Sequence, residues 1–153
     1  MPDPTVPPGC LTRSEGETEG LAAALAPALE PGAVVLLSGG LGAGKTAFVR
    51  GLARGLGIEP GEVSSPTFGL VHEHPGGRLP LFHADLYRLS QVEAADVGLD
   101  DERMTSGVLA VEWPERLSRD VPGALRVRFE VLDETSRQLT FEGPWPARPH
   151  SIR

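Results

Sequence analysis

The run Ala33-Val34-Val35-Leu36-Leu37 leads through Ser38 into Gly39-Gly40-Leu41-Gly42-Ala43-Gly44-Lys45-Thr46. Five consecutive apolar residues suit a short strand buried on both faces. The eight that follow satisfy G-x-x-x-x-G-K-[ST], the phosphate-binding P-loop. Beyond them Phe48, Val49, Leu52 and Leu56 mark one face of a helix that Gly57 closes. Strand, Gly-rich loop and amphipathic helix are the context the motif requires. Glycines let backbone N–H groups turn inward around an anion, and the helix N-terminus adds its dipole. Gly39, Leu41, Gly42, Ala43, Gly44 and Ala47 are therefore read as cradle residues. Lys45 reaches the β- and γ-phosphates, and Thr46 offers a hydroxyl to Mg²⁺.

Upstream, Ser14 and Glu17 form a capping-box pattern, and Leu21, Leu25 and Leu29 recur at helical spacing until Pro27 ends or kinks the helix. Downstream, Gly69 to His74 and Leu79 to Asp85 read as two strands around Pro75-Gly76-Gly77-Arg78. Ser90 with Glu93 predicts a short capped helix. Val108 to Val111 is a second buried-strand run, ending at Glu112. Leu125, Val127, Phe129 and Val131 alternate with Arg126, Arg128 and Glu130, and Leu139 with Phe141 supplies a partner strand after a turn at Asp133 to Ser136. The expected fold is α/β: a P-loop NTPase-like three-layer sandwich with a mixed, mainly parallel sheet and a C-terminal antiparallel hairpin. Residues 1–9 are expected to be a mobile segment, 10–142 one domain and 143–153 a loose tail.

Composition narrows the function. The chain has 153 residues with 14 basic against 21 acidic side chains, a net charge of −7 that argues against unaided nucleic-acid binding. Cys10 is the single cysteine, so it has no internal disulfide partner. The start shows no secretion-signal pattern, and the longest core-like apolar run is far too short to span a bilayer, which predicts a cytoplasmic protein without a membrane partner. Lys45 is the only lysine, and every other basic residue is Arg, so an ammonium matters at that position. No Asn is present, which rules out the Asn-Lys-x-Asp guanine motif and favours ATP.

A P-loop needs a carboxylate to hold Mg²⁺, directly or through water. Glu112, closing Val108-Leu109-Ala110-Val111, fits best, and Asp85, closing Leu81-Phe82-His83-Ala84, is second. In a parallel α/β sheet the carboxyl ends of strands face the ligand crevice, so either acid can meet the metal or the attacking water.

Four segments, in order, resemble the TsaE (YjeE) family: the P-loop, Ser65-Pro66-Thr67-Phe68, His83-Ala84-Asp85-Leu86-Tyr87-Arg88-Leu89, and Val111-Glu112-Trp113-Pro114-Glu115. The resemblance implies an ATPase acting with the TsaB–TsaD heterodimer, which threonylcarbamoylates adenosine 37 in tRNAs reading codons that begin with A. The tRNA would be met only through that complex. By the same resemblance Lys45 and Thr46 bind phosphate and Mg²⁺, Glu112 is an Mg²⁺ ligand, Asp85 is needed for hydrolysis, and Thr67 senses the γ-phosphate. Gly40 stands where many relatives have an acid. Ala47 replaces a hydroxyl but keeps its backbone N–H.

Two other readings share the loop. A small-molecule P-loop kinase would draw Arg116 and Arg119 into a lid, and a nucleotide-gated scaffold would bind ATP and rarely cleave it. His83 reads as a structural histidine rather than a base, Trp113 as packing, and Arg126 with Arg128 as a solvated face. His72 and His74 alternate on one strand without further metal ligands in sequence.

Overall fold

In the computed structural model, which describes residues 9–59, 70–99 and 101–143, the apolar run of Val34–Ser38 becomes a strand with neighbours on both sides. In chain order the strands are β1 (Gly9–Thr12), β2 (Val34–Ser38), β3 (Val71–His74), β4 (Leu81–Asp85), β5 (Val108–Glu112), β6 (Leu125–Val131) and β7 (Arg137–Glu142). They form one sheet ordered β1-β7-β6-β2-β5-β4-β3. The central four, β6, β2, β5 and β4, run parallel. Antiparallel β3 borders β4, and antiparallel β7 borders β6 with β1 beyond it. The mixed, mainly parallel sheet and the C-terminal hairpin are thus as expected.

Two helices, α1 (Glu15–Leu25) and α2 (Lys45–Gly55), cover one face. Ser14 caps α1, accepting from the Glu17 N–H at 3.0 Å, and Glu17 accepts the Arg13 N–H at 2.7 Å, one residue beyond the cap. At Pro27 the α-helix gives way to a 3-10 turn, Ala26–Ala28. Leu56 ends α2, Gly57 takes a φ of +86°, and the Ile58 N–H reaches the Ala53 carbonyl while the Gly57 N–H reaches Arg54. That is the Schellman stop. The helices lie very close. A Cβ built on Gly51 would stand 2.2 Å from the Glu19 carbonyl oxygen, and one on Gly55 2.5 Å from that of Ala23.

Strand alternation divides the core. Val35 and Leu37 of β2 face the helices, with Phe48, Leu52, Ala110 and Val127. Leu36 faces the other way, with Leu109, Val111, Ala84 and Val97. That second face is covered by 3-10 turns at Ala94–Val97 and Glu102–Ser106 and by loops, so the third layer has no α-helix among the described residues. Over β6 the face is wet: Arg126 pairs with Asp120, and Arg128 stands 3.8 Å from Glu142.

Three expectations need correction. The short helix expected to open at Ser90 is reduced to the 3-10 turn Ala94–Val97, without the Ser90 cap. Val92 bridges to Leu117 instead, its N–H and C=O bonding Arg116 and Ser118, and Gln91 has a φ of +52°. The Glu93 carboxylate then meets Ser118 at 3.2 Å rather than a cap. The strand expected from Leu79 starts at Leu81, because Pro80 has no N–H for the ladder. Gly9, placed in the mobile segment, opens β1 by pairing with Thr140. Residues 1–8, 60–69, 100 and 144–153, including the Ser65-Pro66-Thr67-Phe68 segment, lie outside the described residues.

Candidate functional site

The P-loop leaves the carboxyl end of β2 and returns as α2. Gly39 has a φ of +147°, and a Cβ there would meet the Phe129 carbonyl oxygen at 2.8 Å. Gly44 has a φ of +106° immediately before Lys45. These two positions need glycine for conformation and, at Gly39, also for space. The result is a turn tight enough to aim the first-turn N–H groups of α2, which lack intrahelical acceptors, into one concavity.

That concavity holds about 490 Å³ and opens between the loop, the start of α1 and the β6–β7 turn. Leu41, Gly42, Ala43, Gly44, Lys45, Thr46 and Ala47 line it, with Asp85 and Glu112 on the opposite wall. Gly39 does not line the cavity but offers its carbonyl to Lys45. Leu41 is exposed at the loop tip. Thr67 lies outside the described residues.

Register explains how the two acids arrive. Asp85 and Glu112 are paired at the ends of adjacent parallel strands, and Glu112 pairs with Leu37 on its other side. The Thr46 Oγ1 donates to Glu112 Oε2 at 3.2 Å, with Oε1 at 3.4 Å. Glu112 is 3% exposed. Asp85 is exposed and accepts the Tyr87 N–H at 3.1 Å. So Glu112 is the acid that touches the loop, and Asp85 stands one strand further out.

Lys45 is 4% exposed. Its Nζ donates to the Gly39 carbonyl and lies 3.7 Å from the centroid of the Trp113 ring. Burial pushes the ammonium below its ordinary pKa, while Glu112, Glu115 and Asp85 pull the other way. Trp113 holds a φ of +62° and packs its ring 5.1 Å from Tyr87. It is therefore a wall of the cavity rather than buried packing alone.

An Mg²⁺ ion fits the oxygens present. Metal–oxygen distances of about 2.0–2.1 Å place neighbouring octahedral ligands about 2.9 Å apart. The Thr46 hydroxyl and Glu112 carboxylate are near that spacing and are hard donors. The loop N–H groups and Lys45 suit a polyphosphate.

Sequence reasoning assigned to the site none of six residues that complete it, from three parts of the fold. Arg137 Nη2 donates to the Gly42 carbonyl at 3.1 Å, tying β7 to the loop. Glu134 and Thr135 line the cavity from the hairpin turn, and Ser14, Glu15 and Thr18 from the start of α1. Nothing in local spacing could place them, because each arrives through tertiary folding. Arg116 and Arg119 are absent from the lining. Arg116 bonds the Leu89 carbonyl at 3.1 Å, and Arg119 lines a groove with Arg126 and Arg128.

Residues 12–139 match the family model described as threonylcarbamoyl adenosine biosynthesis protein TsaE. The chain belongs to the TsaE family. A TsaE protein of Treponema pallidum is 41% identical over 133 residues, covering 86% of this chain and 97% of that one. A TsaE of Bacillus subtilis is 40% identical over 126 residues, 82% of this chain and 78% of the relative. The crystal structure of Bacillus subtilis YdiB superposes with a TM-score of 0.67 at 35% identity, covering 87% of this chain and 82% of that one. TsaE membership agrees with the P-loop, the mixed α/β sheet and the ordered motifs. No helix among the described residues is long and apolar enough to cross a membrane.

Proposed function

We propose that this chain binds ATP with Mg²⁺ and hydrolyses it to ADP and phosphate in support of tRNA threonylcarbamoyladenosine formation. It acts with the TsaB–TsaD complex in the cytoplasm. The observation that carries the reading is the closure of the P-loop on Glu112: Thr46 meets that carboxylate while Asp85 stands beside it in register.

Each residue then has a task. Lys45 leaves the Gly39 carbonyl for the β- and γ-phosphates. The N–H groups of Gly42 to Ala47 surround the phosphate chain. Thr46 and Glu112 hold Mg²⁺, which when bound neutralises phosphate charge. Asp85, exposed on the cavity wall, orients the attacking water, and Thr67 senses the γ-phosphate. Catalysis of this kind is positioning and electrostatics.

The test is phosphate release from Mg-ATP, alone and with purified TsaB–TsaD. We expect low release that rises with the partners. Lys45→Ala removes charged hydrogen bonds worth ~1.5–3 kcal/mol and lowers ATP affinity roughly 10- to 100-fold. Unchanged nucleotide affinity in that variant sinks the site assignment. Phosphate transferred to a small acceptor, without a partner effect, supports a kinase instead.

A further inference from the structure

Glu112 has two side-chain donors among the described residues, and only one of them belongs to the P-loop. The other is His83, whose Nε2 stands 2.8 Å from Glu112 Oε2. The His83 side chain is 17% exposed and that of Glu112 4%. A carboxylate so buried requires hydrogen bonds to hold its charge. A carboxylate offers no proton, so Nε2 carries the hydrogen and donates it.

The placement follows from strand geometry. His83 pairs with Ala110 of β5, so Glu112 is its diagonal neighbour two residues further along. His83 and Asp85 share a face of β4, since alternate residues point the same way. One strand thus presents a carboxylate to the cavity and an imidazole to the adjacent strand's carboxylate. His72 of β3 backs the imidazole, paired with His83 in register, with ring centroids 6.2 Å apart.

A Glu side chain ends in a soft torsion with broad preferences. The Thr46 hydroxyl alone is a poor anchor for it, because that hydroxyl is itself a candidate metal ligand. A donor on β4, outside the loop, keeps the carboxylate oriented whatever the loop is holding. We infer that His83 is a positioning residue, which fixes the Glu112 carboxylate toward Thr46 and so sets the affinity of the nucleotide site for Mg²⁺. The inference rests on the Mg-ATP reading above. Partners of this kind, one bond removed from the metal, change metal affinity by about 10–100-fold when lost.

The experiment titrates Mg²⁺ into the full chain with a fluorescent ATP analogue and reads the Mg²⁺ concentration giving half of the metal-dependent gain in affinity. His83→Leu removes the donor and retains bulk; His83→Gln keeps an amide N–H near the place of Nε2. We expect His83→Leu to raise the Mg²⁺ midpoint about 10–100-fold, with analogue affinity in chelator unchanged, and His83→Gln to restore most of the loss. In a Glu112→Gln background His83→Leu should add little, since the two act as one unit. Should His83→Leu fail to fold, His83→Asn, whose amide is too short to reach Oε2, replaces it.

A Mg²⁺ midpoint equal to the parent's overturns the inference. So does an equal loss of affinity with and without Mg²⁺, which marks a merely structural histidine. A full effect in the Glu112→Gln background also overturns it. A parent whose analogue affinity ignores Mg²⁺ overturns the metal reading itself, and this inference with it.

Discussion

Lys45 carries an ammonium into a place only 4% exposed, held by one carbonyl and one aromatic face. Its depressed pKa means that the folded state releases the proton more readily than the unfolded chain does. The burden on stability is therefore full below the folded pKa and is relieved as pH rises through it toward the ordinary 10.5. Unfolding midpoints of the parent should gain on those of Lys45→Met over that alkaline window, and parallel curves would contradict this. Glu112→Ala should keep nucleotide binding but flatten its dependence on Mg²⁺; identical Mg²⁺ titrations in variant and parent would remove Glu112 from the metal shell. At this scale the legible residues were those whose role the backbone defines. Gly39 to Thr46 could be read because a phosphate cradle is a contiguous stretch of chain. Arg137 could not, because its carbonyl partner lies 95 residues away. His83 reads as structural in sequence, and only the β4–β5 register shows that it reaches Glu112.

The pairing of α1 with α2 depends on side chains that are missing. Gly51 and Gly55 sit one helical turn apart and face Ala22, Ala23 and Ala26. Glycine inside a helix costs intrinsic stability, which the close packing here offsets. Gly51→Ala places a methyl 2.2 Å from a backbone oxygen, which cannot swing aside as a side chain would. Overpacking of this kind costs ~1–3 kcal/mol, or roughly 2–10 °C in midpoint for a chain of this size. Gly20→Ala in α1, with nothing within 4 Å, is the control and should be neutral or slightly stabilising. Thermal unfolding of the two variants checks both. Elements with strong local signals were readable: Ser14 and Glu17 at one helix start, Gly57 at the other helix end. The pattern at Ser90 and Glu93 carries the same letters but makes no cap, because Val92 bridges to Leu117 and only a 3-10 turn follows at Ala94–Val97. Long-range pairing overrode a local preference worth about 1 kcal/mol.

Across the whole molecule, charge disfavours direct contact with RNA. The groove holding Arg119, Arg126 and Arg128 also holds Glu115, Asp120 and Glu142, so it offers no net positive stripe. With a net charge of −7, tRNA binding by this chain alone should be weaker than ~10 μM at physiological salt. A fluorescence-anisotropy titration checks that, and a dissociation constant below ~1 μM would show a basic surface outside this groove. Fold class was legible because buried-strand runs alternate with helical patterns. Strand order was not, since β2 draws both neighbours from far along the chain and β1 pairs with the last strand. Thr46 and Glu112 are 66 residues apart in sequence. A ribosome adding about 5–20 residues per second makes the loop on the order of 3–13 s before the carboxylate that faces it. For that interval the nascent chain has a phosphate loop without Glu112, and Asp85 is the only acid of the facing wall made within it. A ligand that needs both Thr46 and Glu112 has no complete site until β5 is made, and β2 waits for the late-made β5 and β6 to flank it.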